Sequence, residues 1–254
     1  MYFFPASLAV LETFYSPTVA PLALVSFMTL GRIFISFTGC GTQMFFFVFL
    51  GSADYILLGI MAYDRFVAIQ DPFCYTFLMR WQLCTQLAMG ALVLGFIPPL
   101  QLTILIFLLP FCGHNRITHF YYDVFPILWL ACGDTRMQEA MIFIGSVSIL
   151  TIPLSLISIS YIFIAAAIRK MHSADGWHKT SSICSFHLTV VLLQYSCCSL
   201  PYLHPSSSYN PEMGQVVSVV YIFVTPVLNP LIYSIRNKEL KDALIKVMKR
   251  HLLK

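Results

Sequence analysis

The chain has 254 residues and a net charge of +4, yet only 10% of its residues are charged, while 58% are apolar and 15% aromatic. An ordinary soluble domain carries roughly 25% charged residues, and a soluble fold of this length could not cover its surface with so few. A lipid-facing exterior removes that difficulty. The composition therefore predicts a polytopic α-helical membrane protein and argues against a soluble enzyme.

Six segments are long and apolar enough to cross a bilayer, which takes about 20 residues in a helix. They cover residues 3–28, 37–63, 86–110, 138–168, 181–203 and 214–235. No linker or low-complexity tract separates them, so residues 1–254 are predicted to form a single transmembrane domain. The two longest intervals, 64–85 and 111–137, are predicted to be loops.

The chain ends in a pattern typical of an amphipathic helix. Within residues 237–250, apolar side chains recur at three- and four-residue spacing, and lysines fall between them. This spacing places the apolar side chains on one helical face. We expect this segment to lie along the inner leaflet of the membrane.

Basic residues are distributed unequally between the two sides of the predicted bundle. Twelve of the 15 lysines and arginines follow the second, fourth and last spans, and three lie on the opposite side. Because loops rich in Lys and Arg stay in the cytoplasm, both termini are predicted to be cytoplasmic. The positive net charge then reflects topology and contact with anionic lipid, and it requires no nucleic-acid partner.

Only two carboxylates lie deep in the apolar segments, Glu12 and Asp54. A charge at the centre of the bilayer costs at least about 2.5–3.5 kcal/mol, so each should face the bundle interior and have a partner. Two interpretations remain open. The pair is either neutral and hydrogen-bonded, helping helices to pack, or it forms a cation or proton site that responds to conformation.

Three motifs are far more specific than composition. They are MAYDRFVAI at residues 61–69, KTSSICSFHLTVV at 179–191 and PVLNPLIYSIRN at 226–237. In this order and spacing they resemble the rhodopsin-like G-protein-coupled receptors and, within them, the odorant (olfactory) receptors. The resemblance covers essentially the whole chain. It implies an all-α, rhodopsin-like transmembrane bundle that binds a small odorant and activates a heterotrimeric G protein of the olfactory stimulatory type.

The start of the chain matches a specific helix of the family, and this match leads to a further expectation. The opening MYFF is similar to the start of the family's second helix, so the first helix is expected to be absent and six of the usual seven spans to be present. Such a truncated chain is expected to be poorly functional. It is also expected to be retained in the endoplasmic reticulum when it fails to reach the plasma membrane.

The resemblance implies a cytoplasmic switch and a hinge in the last helix. Arg65 is expected to pair with the neighbouring Asp64 in the resting state and to turn toward the G protein on activation. Tyr161 is expected to meet Tyr233 near Arg65 in the active state. The residues assigned to this machinery are Asp64, Arg65, Tyr161, Asn229, Pro230 and Tyr233.

Two more sites follow from the resemblance. Glu12 and Asp54 are similar to the family's acidic pocket and are expected to share a proton or hold an allosteric sodium ion. A ligand pocket is expected in the outer half of the bundle, where aromatic and aliphatic walls suit a small, mostly apolar ligand. For any single residue of that pocket, ordinary helix packing is an equally open interpretation. The expected lining is Phe47, Val48, Gly51, Ser52, Gly145, Ile149, Tyr195, Cys198 and Tyr202.

The eight cysteines match the family pattern incompletely. Cys112 and Cys132 resemble two of the three cysteines of the family's long extracellular loop, which implies a disulfide bond between them. Cys40 resembles the residue that the family ties to this loop, but its expected partner is replaced by Tyr122. Cys40 is therefore expected to be free or to compete for the Cys112–Cys132 bridge.

Other classes of function find little support in the sequence. There is no nucleophile elbow, phosphate loop or zinc-ligand spacing, so we predict neither an enzyme nor a metal site. His119 and His187 are isolated and are predicted to be hydrogen bonders in a loop or at a helix end. The remaining alternative is a six-span channel or transporter, which should show a re-entrant filter segment or internal repeats.

Overall fold

The computed structural model describes residues 3–28, 36–111, 124–128, 130–170 and 174–203. These ranges contain seven helices and no strand, which confirms the all-α class. The helices are α1 (Phe3–Met28), α2 (Phe37–Gln70), α3 (Tyr75–Leu78), α4 (Trp81–Phe107), α5 (Val124–Leu128), α6 (Arg136–Arg169) and α7 (Ala174–Leu203).

Five predicted spans correspond to α1, α2, α4, α6 and α7, but several helices extend beyond their apolar stretch. The second helix ends at Gln70 rather than at residue 63, and the fourth and seventh begin at Trp81 and Ala174, before the predicted starts. Hydropathy marks what lies in lipid, whereas a helix continues until its backbone hydrogen bonding fails. For α2 that point is Asp71, which precedes Pro72 and leaves the helical conformation.

Short helices occupy the intervals predicted to be loops, since α3 lies in the first interval and α5 in the second. The predicted sixth span, 214–235, and the tail helix, 237–250, lie outside the described residues.

Helix α2 is the centre of the described bundle. Among the described residues, α2, α4 and α6 each contain an apolar stretch long enough to cross a membrane. That stretch is 67% buried in α2 but only 22% buried in α4 and in α6. Large apolar side chains such as Leu94, Ile152 and Ile162 are exposed on the two outer helices. This arrangement suits a bundle whose periphery contacts lipid and whose central helix carries the polar groups.

Helices α2 and α4 approach each other closely at Gly95. A Cβ atom at this position would lie 3.0 Å from the backbone nitrogen and 3.1 Å from the Cα of Ala53 on α2. Backbone atoms in the middle of a helix cannot move aside as a flexible side chain can. A residue without a side chain is therefore required for this contact.

We expect Gly95→Ala to lower the free energy of unfolding by about 1–3 kcal/mol, because the added methyl group overpacks the α2–α4 contact. Thermal melting of the purified protein in detergent measures the effect. Gly90→Ala is the matched control, since Gly90 is on the same helix and a Cβ there meets nothing within 4 Å. Equal melting temperatures for the two variants would contradict the prediction.

Candidate functional site

The predicted switch residues lie near the end of α2, where a residue of α3 contacts them. Asp64 is buried and accepts a hydrogen bond of 2.8 Å from the Tyr75 hydroxyl. Tyr75 is the first residue of α3, which the turn after α2 brings back against α2. Sequence analysis did not find this contact, because Tyr75 lies outside the motif that carries Asp64.

The expected pairing of Asp64 with Arg65 does not occur in the described part of the chain. The only ion pair within those ranges joins Arg136 to Asp134 on the opposite side of the bundle. Successive residues of an α-helix point about 100° apart, so the two neighbouring side chains diverge. Tyr75, rather than Arg65, is the partner of Asp64 in this structure.

The environment of Tyr75 keeps its hydroxyl protonated. Burial, followed by the hydrogen bond to the Asp64 carboxylate, raises the pKa of Tyr75 above its ordinary value. A neutral hydroxyl is the form that can donate a hydrogen bond. The contact with Asp64 is therefore available throughout the physiological pH range.

The Nε atom of Arg65 is buried without a hydrogen-bond partner among the described residues. A separate polar contact joins α6 to α7. His187 of α7 is 0% exposed, and its Nδ1 lies 2.9 Å from the hydroxyl oxygen of Tyr161 on α6. That hydroxyl donates to the backbone carbonyl of Cys184, at 3.3 Å.

His187 forms a hydrogen bond, as the sequence predicted, but its predicted location was wrong, because this residue is neither in a loop nor at a helix end. It lies in the middle of α7 and stacks on Tyr161 with ring centroids 5.8 Å apart. A signal was present in the sequence, since the buried residues described in α7 recur at helical spacing. They are Cys184, His187, Val190, Val191 and Gln194. The structure shows Tyr161 in contact with His187. The expected partner of Tyr161, Tyr233, lies outside the described residues, as do Asn229 and Pro230.

Glu12 on α1 and Asp54 on α2 are both buried, at 5% and 3% exposure. The shared site that the resemblance implies for them stays a prediction. Oδ1 of Asp54 is buried without a hydrogen-bond partner. Two neighbouring carboxyl groups in such a place can share a proton or bind a monovalent cation.

A further contact, which sequence analysis missed, ties α2 to α7 one residue beyond Asp54. The Tyr55 hydroxyl donates a hydrogen bond of 3.0 Å to the backbone carbonyl of Gln194. The Tyr55 ring packs edge-on against Tyr195, with centroids 4.9 Å apart. Tyr195 was expected to line the ligand pocket, and here it lies against the central helix.

A cavity of about 90 Å³ lies between α2, α4, α5 and α6. Three of the nine expected pocket residues line it: Val48, Gly145 and Ile149. The sequence missed the contributions of α4 and α5 entirely. The other residues that line the cavity are Pro98, Pro99, Gln101, Leu102, Val124, Met141, Ile142 and Ser146.

Among the described residues, Phe47, Gly51, Ser52 and Tyr195 are not part of the lining of this cavity. Phe47 and Gly51 are buried, and Phe47 packs against Tyr15 of α1 with centroids 5.6 Å apart. Ser52 is also buried, and its hydroxyl donates to the carbonyl of Val48 at 2.6 Å. Among these three residues, it is Phe47 for which the structure shows a contact with α1. The side chains of Cys198 and Tyr202 lie outside the described residues.

The cysteines near the predicted outer loop are only partly described. Cys132 is disulfide-bonded, whereas Cys40 is buried and free. The free state of Cys40 is one of the two outcomes expected from the sequence. Cys112 and Tyr122 lie outside the described residues, so the Cys112–Cys132 pairing stays a prediction.

An all-α bundle with apolar outer helices, a cavity toward one end and buried polar contacts toward the other is typical of a multi-pass membrane protein. The family model for olfactory receptors matches residues 1–251. Human olfactory receptor 10V1 is 58% identical over 250 residues, covering 98% of this chain and 81% of that protein. Human olfactory receptor 10Q1 is 54% identical, covering 96% and 76%, and mouse olfactory receptor 9S13 is 43% identical, covering 100% and 76%.

The chain therefore belongs to the olfactory receptor family, which consists of G-protein-coupled receptors and not of enzymes. Membership in this family excludes the channel and transporter alternative. The comparisons give no support to the expected truncation or to retention in the endoplasmic reticulum.

Proposed function

We propose that this receptor binds a small odorant in the cavity beside α2 and activates a heterotrimeric G protein of the olfactory stimulatory type from the plasma membrane. The observation that carries the proposal is the position of α2. This one buried helix provides Val48 to the cavity wall, and at its other end it carries Arg65. A ligand that shifts the packing of α2 against its neighbours can therefore bias the cytoplasmic end.

A contact of α2 supports this route. The Tyr55 hydroxyl donates a hydrogen bond to the backbone carbonyl of Gln194 on α7. This contact must change if α7 moves relative to α2. A bundle with discrete packing arrangements can convert a small displacement at the cavity into a change at the G-protein side.

The turn after α2 offers a surface for the G protein. Phe73 is 97% exposed and Phe77 is 71% exposed, on the side of the bundle predicted to be cytoplasmic. Exposed apolar side chains grouped in this way mark protein-contact surfaces. Phe73 lies two residues before Tyr75, so a bound partner there lies next to the Asp64 contact.

We further propose that Glu12 and Asp54 hold a sodium ion when the receptor is at rest. The support is the burial of both carboxyl groups on two helices that pack against each other. Two like charges that share a buried site favour either a shared proton or a bound cation. The Discussion gives the measurement that separates a sodium site from a packing role.

The expected result for the function is an odorant-evoked rise in cyclic AMP in cells that express the full chain. Phe73→Asp should reduce the response at least tenfold at equal surface labelling, because a charge replaces the apolar contact. Thr76→Asp is the matched control, since Thr76 is an exposed residue of the same segment. A receptor that reaches the surface but responds to no odorant contradicts the proposal, as does a fully active Phe73→Asp variant.

A further inference from the structure

The junction between α3 and α4 places a cation and two aromatic rings on one exposed surface. Arg80, which lies between the two helices, is exposed. Trp81, the first residue of α4, is 72% exposed, and Phe77 of α3 is 71% exposed. The Arg80 guanidinium lies 5.5 Å from the centroid of the Phe77 ring. An aromatic ring attracts a cation without neutralising it, so Arg80 keeps its full charge for an anion. We call Phe77, Arg80 and Trp81 the junction surface.

The junction is held in place by contacts with the rest of the bundle. Met79 is buried, and the Cys84 thiol donates to its carbonyl oxygen at 3.7 Å. The Trp81 ring packs edge-on against Phe3 of α1, with ring centroids 4.8 Å apart. Because these contacts hold the junction backbone and the indole, a bound molecule needs to order little more than the Arg80 side chain.

The depth of the junction surface in the membrane follows from the position of Trp81 on α4. The apolar span of this helix is predicted to begin at residue 86, and Trp81 precedes that residue by about 7.5 Å at the rise of an α-helix. The headgroup region on each side of the hydrocarbon core is about 5–8 Å thick. The distribution of basic residues places this end of α4 on the cytoplasmic side. Arg80 and Trp81 therefore lie at the level of the inner-leaflet headgroups, where anionic lipids are concentrated.

Arg80 has no counter-charge in the part of the chain that the structure describes. The single ion pair within those ranges joins Arg136 to Asp134. The first turn of α4 contains no acidic residue. A guanidinium donates two parallel hydrogen bonds to a phosphate, and an indole at this level contacts the upper part of an acyl chain. The chemistry of the surface therefore matches both parts of a phospholipid.

We propose that the junction surface is a docking site for an anionic phospholipid of the inner leaflet. The phosphate of the lipid accepts hydrogen bonds from Arg80, and an acyl chain lies against the Trp81 ring. Phosphatidylcholine offers the same phosphate, but its own cation is repelled by Arg80, so the site selects by net charge. One basic residue at an anionic membrane surface corresponds to an about fivefold preference. The site adjoins the proposed G-protein surface through Phe77 and does not depend on that proposal.

The test uses tryptophan fluorescence, because bromine atoms on an acyl chain quench an indole that they contact. The chain contains three tryptophans, and Trp129→Phe with Trp177→Phe leaves Trp81 as the only one. The purified double variant is placed in phosphatidylcholine nanodiscs that contain either brominated phosphatidylcholine or brominated phosphatidylserine. We expect brominated phosphatidylserine to reach the same quenching at an about fivefold lower mole fraction.

A further substitution connects this preference to Arg80. Arg80→Gln in the same background should make the two brominated lipids quench equally. Arg169→Gln is the matched control, because Arg169 is an exposed cation at the end of α6. It should leave the preference intact, which separates a local site from the general attraction of a basic receptor to anionic lipid.

Each alternative outcome has a definite meaning. Equal quenching by the two lipids overturns the proposal, and so does the absence of quenching by either, since Trp81 then does not contact lipid. A preference that persists in Arg80→Gln overturns it as well.

Native mass spectrometry of the chain with all three tryptophans gives a second measurement that does not depend on the folding of the double variant. From an equal mixture of the two unbrominated lipids, the unaltered receptor should retain more phosphatidylserine than Arg80→Gln. Equal retention contradicts the proposal. Neither measurement involves an odorant or a G protein, so a negative result leaves the proposed receptor function standing.

Discussion

Replacing Tyr75 with phenylalanine is expected to lower the free energy of unfolding by about 1.5–3 kcal/mol, the usual contribution of a hydrogen bond to a charged group. The substitution removes only the hydroxyl that donates to Asp64 at 2.8 Å. Asp64 is buried, so water cannot readily replace the lost donor. Thermal melting of the purified receptor in detergent should show a fall of several degrees.

The pH dependence of this effect has a definite sign. The folded protein raises the pKa of Tyr75 above its ordinary value of 10.0. A group with a raised pKa contributes stability that is fully present below its unfolded pKa and is lost as pH rises through the folded value. The difference between Tyr75→Phe and the unaltered receptor should therefore be constant from about pH 6 to 9.

Tyr63→Phe is the control for Tyr75→Phe. Tyr63 is exposed on the same end of α2, and its hydroxyl makes no hydrogen bond in the described residues. Its loss should leave the melting temperature unchanged. If Tyr75→Phe also melts like the unaltered receptor, the contact with Asp64 contributes nothing to the stability of this arrangement.

The second large effect is expected from Asp54→Asn. The unaltered receptor should melt at a higher temperature in sodium chloride than in potassium chloride of the same ionic strength. Sodium at about 100 times its dissociation constant adds about 2.7 kcal/mol to the stability of a protein that binds it only when folded. Asp54→Asn removes one of the two facing carboxyl groups and should abolish this difference.

In buffers without sodium, Asp54→Asn is expected to have the opposite effect on stability. There, Asp54→Asn should match or exceed the stability of the unaltered receptor, because it removes a like-charge interaction with Glu12. Glu139→Gln removes a carboxylate from the exposed start of α6 and should leave the sodium effect intact. An unaltered receptor that melts equally in both salts shows that the pair has a packing role and holds no sodium.

The sequence determined the features of this protein that depend on local composition. Apolar runs of about 20 residues predict spanning helices, and five of the six predicted spans coincide with helices of the described structure. The motifs around Arg65 and His187 identified the family. They also led to the prediction that Glu12 and Asp54 share a site, and the structure buries both residues, on two different helices.

The tertiary structure alone decided which side chains meet across helices. Tyr75 with Asp64, Tyr161 with His187 and Tyr55 with Gln194 are all contacts between different helices. The lining of the cavity was likewise only partly predictable. In a lipid environment α4 and α6 are apolar on nearly every face, so their sequences contain little periodicity to indicate which face turns inward. The rotation of each helix, and with it the exposure of Gln101 and Ser146 to the cavity, is set by packing between helices.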